Sequence, residues 1–164
     1  MLRFLFPRLT TDRARGAELF RRVTELARAP HWYVEGEVPD TVDGRFAMLT
    51  TIAALVLLRL ERERAAEASV ALTERFVEAM EAEHREMGMG DPKLGRTVRK
   101  LVGALGRRVE IWRNGTWDEA TRESVYGACE PSGQALAHTA GALKSFWREL
   151  DTSSAAALSE GRIG

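Results

Sequence analysis

The chain has 164 residues and a mass of 18.3 kDa, and its 24 lysines and arginines are balanced by 24 aspartates and glutamates. This balance excludes a protein that is basic or acidic as a whole, such as a histone-like nucleic-acid binder. Hydrophobic residues make up 45% and charged residues 29% of the chain, as in folded proteins rather than disordered ones. The length predicts one domain.

Cysteine content and hydropathy narrow the class of protein further. Cys129 is the only cysteine in the sequence, which excludes an internal disulfide and a zinc site built on paired cysteines. The longest uncharged apolar run covers residues 46–58, well short of the roughly 20 residues that span a bilayer. Residues 1–8 are too short and too interrupted for a secretory signal. We therefore expect a cytosolic protein, not an integral membrane protein.

Helical periodicity runs through almost the whole sequence, and no segment alternates apolar and polar residues as a strand does. Leu2, Phe4, Leu5 and Phe6 precede the first helix and would either form a short interfacial anchor or pack onto the core. Pro30 ends the first helix, and Gly88 is placed to end the third with a left-handed cap. Helices are predicted over residues 10–29, 42–62, 69–87, 94–112, 116–128 and 131–150.

The second predicted helix is the most apolar, since hydrophobic residues extend beyond one face, so we expect it to be central. Thr116 and Glu119 have the spacing of a capping box at the start of the fifth helix. Residues 151–164 are rich in Ser, Ala and Gly, which predicts a flexible C-terminal tail. The predicted architecture is a single all-α domain of about six helices over residues 1–150.

The zero net charge is a sum of segments of opposite sign. Residues 1–28 hold seven basic against three acidic residues, and residues 91–113 seven against two, whereas residues 61–86 hold four against eight. In the fourth helix, one face carries the basic residues Arg96, Arg99, Lys100 and Arg107. This basic face is either solvated and paired with the acidic third helix, or a docking surface for RNA or anionic lipid headgroups.

Catalytic and metal-binding motifs are weak in this sequence. Glu81 and His84 have the Glu-x-x-His spacing of ferritin-like di-metal bundles, but such sites need a second pair and two further glutamates. Neither His31 nor His138 has a glutamate at that spacing. Gly88-Met89-Gly90 follows a helix, whereas a phosphate-binding loop follows a strand. We therefore expect that the protein is not an enzyme, and a ferritin-like metal protein is an alternative.

Two loop clusters contain glycine, proline and aromatic residues at helix junctions. This composition is typical either of tight turns or of a surface that binds a partner. Asp40 or Thr41 would cap the second helix, and Arg45 would pair with Asp91 or Glu86 within the fold. The first cluster runs from Pro30 to Tyr33 and from Val38 to Phe46, and the second from Glu86 to Asp91, continuing into the basic helix.

The two clusters carry a family resemblance. The stretch Pro39-Asp40-Thr41-Val42-Asp43-Gly44-Arg45-Phe46, followed by a long apolar helix, resembles the ubiquinol–cytochrome c chaperone family. Glu86-Met87-Gly88-Met89-Gly90-Asp91, followed by the basic helix, is similar to the family's other characteristic segment, and His31-Trp32-Tyr33 stands where the family has an aromatic stretch. The resemblance covers about residues 19–112 and is with the compact bacterial form.

The resemblance implies an assembly factor without catalytic residues, metal or cofactor. Its client would be newly made cytochrome b, held until haem and partner subunits of the ubiquinol–cytochrome c reductase are in place. It further implies work at the ribosome or the anionic inner face of the cytoplasmic membrane, with a second small assembly factor or a second copy of the chain, and no DNA. The candidate client-binding residues are His31, Trp32, Tyr33, Pro39, Asp40, Asp43, Arg45, Phe46, Glu86, Met87, Gly88, Gly90 and Asp91.

Overall fold

The computed structural model describes residues 15–164, and within this range the chain forms helices and no strand. The predicted all-α single domain is confirmed. A 3₁₀ turn at Pro30–Trp32 follows the first helix, and a π-helical turn at Arg122–Tyr126 follows the fifth. The seven α-helices of the described range are α1 (Ala17–Ala27), α2 (Val42–Arg62), α3 (Ala66–Glu86), α4 (Asp91–Asn114), α5 (Trp117–Thr121), α6 (Gly133–Thr152) and α7 (Ala155–Ser159).

Helix α2 is the centre of the domain. Helices α1, α3, α4 and α6 and the π-helical turn all contact it, and Met48, Ile52 and Leu60 are fully buried along its length. Among its buried polar residues, Thr50 donates to the Phe46 carbonyl at 2.7 Å, whereas the Thr51 hydroxyl has no hydrogen-bond partner among the described residues. A helix buried on all sides needs the continuous apolar composition found in this segment.

Capping residues explain where the helices begin. Thr116 and Glu119 form the predicted capping box at the start of α5, and the Ser132 hydroxyl accepts from the Ala135 N–H at 3.1 Å at the start of α6. Helix α4 begins earlier than predicted because Pro92 lies in its first turn, where proline is tolerated. The predicted first helix extends over residues 10–14, which lie outside the described residues, as do Leu2, Phe4, Leu5 and Phe6.

The C-terminal residues pack on the core, whereas their composition predicts a flexible tail. Helix α6 continues to Thr152, and Leu158 of α7 is fully buried. The Arg59 side chain, 8% exposed, donates to the Leu150 carbonyl at 2.9 Å and to the Ser153 carbonyl at 3.0 Å. One arginine of the central helix therefore binds two carbonyls at the C-terminal end of α6. The flexibility of residues 151–164 stays a prediction.

Candidate binding cleft

The two loop clusters meet in one concave surface, which we call the loop cleft. It has a volume of about 340 Å³ and lies between α1, α2, α3 and α4. The first cluster contributes Tyr33, Val42, Asp43, Arg45 and Phe46 to its lining, and the second contributes Met87. The remaining lining residues are Thr24, Ala27, Arg28, Leu49, Met80, Glu83, His84 and Leu101.

The 3₁₀ turn at Pro30–Trp32 closes the end of α1 and leads into Tyr33, which lines the loop cleft. The Tyr33 hydroxyl donates to the Ala27 carbonyl at 2.8 Å, and the Trp32 indole N–H donates to the Leu26 carbonyl at 2.8 Å. These bonds satisfy two of the carbonyls that a helix C-terminus leaves without partners. Desolvation raises the pKa of Tyr33, so the side chain stays a neutral donor. Trp32 itself is only 4% exposed and belongs to the core.

The start of α2 is fixed by close backbone packing. The Thr41 hydroxyl accepts from the Gly44 N–H at 3.1 Å, so Thr41 is the capping residue. A Cβ on Gly44 would lie 1.9 Å from the Pro39 carbonyl oxygen, which leaves room only for glycine. Half-buried Pro39 therefore sets the angle at which the chain enters the helix.

The charged residues of this cluster pair locally. Arg45 donates to an Asp40 carboxylate oxygen at 2.7 Å, in place of the partners considered from the sequence, Asp91 and Glu86. The hydrogen bond from Arg45 lowers the pKa of Asp40. Both side chains are exposed, as is Asp43 in the first turn of α2. The pair neutralises Arg45 where it lines the loop cleft.

The second cluster forms the sharp turn between α3 and α4. Gly88 has φ +83°, the left-handed conformation that ends many helices, and the Met89 N–H donates to the His84 carbonyl at 3.1 Å. Gly90 is the N-cap of α4. Of this cluster, Met87 lines the loop cleft, whereas Glu86, Gly88, Gly90 and Asp91 are exposed beside it.

Two large apolar residues are exposed at the rim of the loop cleft, which charged side chains also line. Val42 is 78% exposed and Met87 63% exposed, and the two residues stand on α2 and on the end of α3. Half-buried Phe46 lies between them and the core, with its ring 6.3 Å from that of Phe76. Exposed large apolar residues around a concave surface are typical of a binding site for an apolar partner.

The basic face of α4 points to solvent. Arg96, Arg99, Lys100 and Arg107 are exposed, and among residues 15–164 none of them forms an ion pair with a carboxylate. Pairing with the acidic residues of α3, one of the two interpretations of the sequence, is therefore not observed.

Arg108 lies behind the basic face and is half-buried. It donates to the Ser124 carbonyl at 3.1 Å, and its guanidinium lies 5.9 Å from the centre of the Phe46 ring. Desolvation and then the neighbouring Arg107 charge lower the pKa of Arg108. Arg108 therefore links α4 to the π-helical turn and is not part of the basic face.

A histidine pair that sequence reasoning missed holds the first cluster to α6. His31 Nδ1 and His138 Nε2 are 3.0 Å apart, so one ring donates to the other. Burial and then the His138 charge lower the pKa of His31. The two residues are separated by 107 positions, so no local sequence pattern indicates the contact. His31 thus positions the loop and does not line the loop cleft.

Glu81 and His84 do not assemble with further ligands. The Nδ1 atom of His84 lies 2.8 Å from the Met80 carbonyl oxygen, so this nitrogen bonds to the backbone. Across residues 15–164, no group of three or more His, Cys, Asp or Glu side chains is placed to hold a metal ion. Within the same residues, none of the helices has the length and apolar character needed to cross a membrane.

The fold places the chain among single-domain all-α proteins, and comparison with known proteins narrows this class. The sequence pattern described as ubiquinol–cytochrome c chaperone matches residues 35–163. The chain belongs to the ubiquinol–cytochrome c chaperone family.

A solved structure supports the fold. The crystal structure of the Cbp3 homolog from Brucella abortus superposes with a TM-score of 0.70, at 22% sequence identity, covering 100% of this chain and 96% of that chain. Comparison with curated proteins found no match.

Proposed function

We propose that this chain is a non-enzymatic assembly chaperone that binds cytochrome b and assists biogenesis of the ubiquinol–cytochrome c reductase complex. Membership of a chaperone family supports a role in handling another protein. The observation that carries the proposal is the convergence of the two loop clusters, which are far apart in sequence, on one cleft. Tyr33, Phe46 and Met87 are the residues of these clusters that we assign to the client.

The loop cleft suits an apolar segment of a membrane subunit that its partner subunits do not yet cover. Val42 and Met87 offer exposed apolar surface at the rim, and Phe46 and Leu49 continue it inward. An amphipathic or apolar helix binds such grooves through side chains spaced three or four residues apart. Methionine at the rim adapts its shape to different side chains, which favours a client that has not reached its final fold.

The basic face of α4 provides the second contact in this proposal. We assign Arg96, Arg99, Lys100 and Arg107 to docking on phosphate groups, either of the anionic membrane surface or of the ribosome, which places the chain peripherally at the cytoplasmic side of the membrane. Each cation near an anionic surface contributes about 1 kcal/mol, and salt screens this attraction. Docking there would hold the loop cleft close to the site where the client inserts.

A further partner would bind outside the loop cleft. Helix α3 leaves a stripe of Val70, Thr73 and Val77 between polar side chains, with Val70 56% exposed. We assign this stripe to a second small assembly factor or to a second copy of the chain. Size-exclusion chromatography with light scattering distinguishes a self-association of the chain from a monomer.

Complementation of a deletion strain tests the proposed function. Loss of the gene is expected to lower haem-loaded cytochrome b in the membrane, and the unmodified gene restores it. The double variant Val42→Glu, Met87→Glu places two charges on the rim and is expected to fail, whereas Val34→Glu, at a similarly exposed position that does not line the loop cleft, restores assembly. Normal levels of haem-loaded cytochrome b in the deletion strain contradict the proposal.

A further inference from the structure

A second cleft, which we call the tryptophan cleft, lies at the other end of the α2–α4 pair. Its volume is about 480 Å³, and it shares no lining residue with the loop cleft. Three of the four tryptophans of the chain line it, from three different elements. The lining residues are Leu55, Leu58, Glu61, Arg62, Trp112, Arg113, Gly115, Trp117 and Trp147.

The walls of the tryptophan cleft are flat and aromatic. Buried Leu55 and Leu58 of α2 supply its aliphatic part, and the rings of Trp112 and Trp117 lie 5.4 Å apart at a tilt of 58°. Aromatic rings pack against indoles in offset or edge-to-face arrangements at such distances. These walls favour a planar aromatic ligand over a branched aliphatic one.

Arg62 is the cation at the mouth of the tryptophan cleft that can bind an anion. Arg113 is already paired with Glu61 at 2.5 Å and with Glu110, whereas Arg62 is 64% exposed and reaches its nearest carboxylate, that of Asp151, only at 4.0 Å. The Arg62 guanidinium lies 4.7 Å from the centre of the Trp147 ring, so a cation–π contact holds it at the cleft. Its N–H groups are left to bind a carboxylate, which arginine does with two parallel hydrogen bonds.

Trp112 adds an unsatisfied donor to the wall of the cleft. Its indole N–H is buried and has no acceptor in the described part of the chain. Buried donors are normally paired, so a bound acceptor that this N–H reaches after a small rotation of the ring would satisfy it.

We propose that the tryptophan cleft is a small-molecule site for a planar aromatic carboxylate, with the ring packed against the indoles and the carboxylate on Arg62. The cleft volume falls within the roughly 300–1,000 Å³ typical of such sites, which are mostly apolar with few polar groups. This site goes beyond the proposed function, because neither the loop cleft nor the basic face contributes to it. A variant that loses ligand binding at the tryptophan cleft can therefore keep client binding at the loop cleft, and the reverse.

Titration of the ¹⁵N-labelled chain with 2-naphthoate tests the proposal. The four indole N–H signals, assigned from single Trp→Phe variants, are expected to respond unequally. Those of Trp112, Trp117 and Trp147 shift and saturate, whereas that of Trp32, which is bonded to Leu26 in another part of the core, stays in place. Arg62→Gln is expected to weaken binding at least about fivefold, whereas Arg148→Gln, an exposed arginine outside the cleft, changes it less than about twofold.

The uncharged analogue 2-naphthylmethanol provides a test that needs no variant. It retains the ring system and is expected to bind the unmodified chain at least about fivefold more weakly than 2-naphthoate. Equal affinity for the two compounds overturns the role of Arg62. No saturable shift up to about 2 mM 2-naphthoate, or equal shifts of all four indole signals, overturns the site itself.

Discussion

Gly44 is the residue where the first loop cluster leaves no space for a side chain. A Cβ at this position would lie 1.9 Å from the carbonyl oxygen of Pro39, and the same stretch carries the Thr41 cap. The backbone would have to move to relieve the clash, and the cap would move with it. The requirement for glycine here is therefore steric and does not depend on a positive φ.

We expect Gly44→Ala to lower the free energy of unfolding by about 2 kcal/mol, because overpacking forces the backbone of Pro39 to shift. The matched control is Gly106→Ala in α4, where an added Cβ meets open space; it should raise the free energy by about 0.5–1 kcal/mol. Urea unfolding followed by circular dichroism measures both. Equal effects of the two variants would show that the Pro39 contact does not constrain the loop.

The His31–His138 contact is a second feature at the residue scale, and it makes the stability of the fold depend on pH. Burial and the charge of His138 lower the pKa of His31, while Glu35 opposes them. The folded chain thus binds fewer protons at His31 than the unfolded chain, whose histidines titrate near pH 6.5. The contribution of His31 to stability is fully present above that pH and is lost as the pH falls below it.

We therefore expect His31→Gln to reduce the loss of unfolding free energy between about pH 7.5 and about pH 5.5. Carboxylates contribute to the same loss, so a control that removes no titratable group isolates the contribution of His31. Gln134→Ala, at an exposed position of α6, should leave the slope unchanged. Urea unfolding at the two pH values measures the slopes, and identical slopes for all three proteins would refute the assignment.

Among the elements, the C-terminal end of α6 depends on one side chain of α2. Arg59 is 8% exposed, donates to the Leu150 and Ser153 carbonyls, and pairs with Glu63 at 2.6 Å. Leu158 of α7, the helix that follows α6, is buried. Removing a buried charge-assisted donor leaves its acceptors unsatisfied, which costs more than an exposed ion pair contributes.

Arg59→Met is expected to lower the free energy of unfolding by about 3 kcal/mol and to speed amide hydrogen exchange in residues 153–164. Arg62→Met is the matched control one turn away, since Arg62 is mostly exposed and lies 4.0 Å from Asp151; it should change stability by less than about 1 kcal/mol. Exchange mass spectrometry locates the effect. Fast exchange of residues 153–164 in the unmodified chain would instead support the flexible tail predicted from composition.

The basic face of α4 is tested by reversing its charge. Arg99→Glu with Lys100→Glu is expected to reduce binding to vesicles containing an anionic phospholipid at least about tenfold, because each cation contributes about 1 kcal/mol near such a surface. The control pair, Lys144→Glu with Arg148→Glu, makes the same change of net charge at exposed positions of α6. Equal losses in a vesicle sedimentation assay would mean that net charge, and not this face, determines binding.

The elements were largely predictable from the sequence, whereas the contacts between them were not. The bounds of α2 and the capping box of α5 follow from local patterns, because periodicity and capping act within a few residues. The predicted fifth helix instead ends at Thr121 and continues as a π-helical turn. Arg59 gives no sequence signal, since an arginine at the end of an apolar helix is normally exposed.

The same holds for the candidate site: its residues were predictable from the sequence, whereas the contacts between them were not. The residues of the two loop clusters were predicted from their composition. Composition alone does not predict which of them are exposed, since Trp32, an aromatic residue in a loop, is buried in the core. The meeting of Phe46 and Met87 at one cleft depends on how α2, α3 and α4 pack. Long-range packing of this kind, like the His31–His138 pair, is set by the whole fold.

At the scale of the whole molecule, zero net charge conceals separate surfaces. The basic face of α4 is unpaired among the described residues, the rim of the loop cleft carries exposed apolar residues, and the tryptophan cleft lies at the other end of α2. Because the basic face is separate from the loop cleft, an apolar client bound in the cleft does not desolvate the unpaired cations of α4. We expect high salt to release the chain from membranes without displacing the client from the loop cleft.

Site-specific photocrosslinking tests the central claim most directly. A photoreactive amino acid replaces Val42, Met87 or Val70 in turn, all exposed apolar positions, in cells that are synthesising cytochrome b. We predict crosslinks to cytochrome b from positions 42 and 87, at the rim of the loop cleft, and none above background from position 70. Crosslinks to cytochrome b from position 70 alone, or from none of the three, would contradict the assignment of the loop cleft to the client.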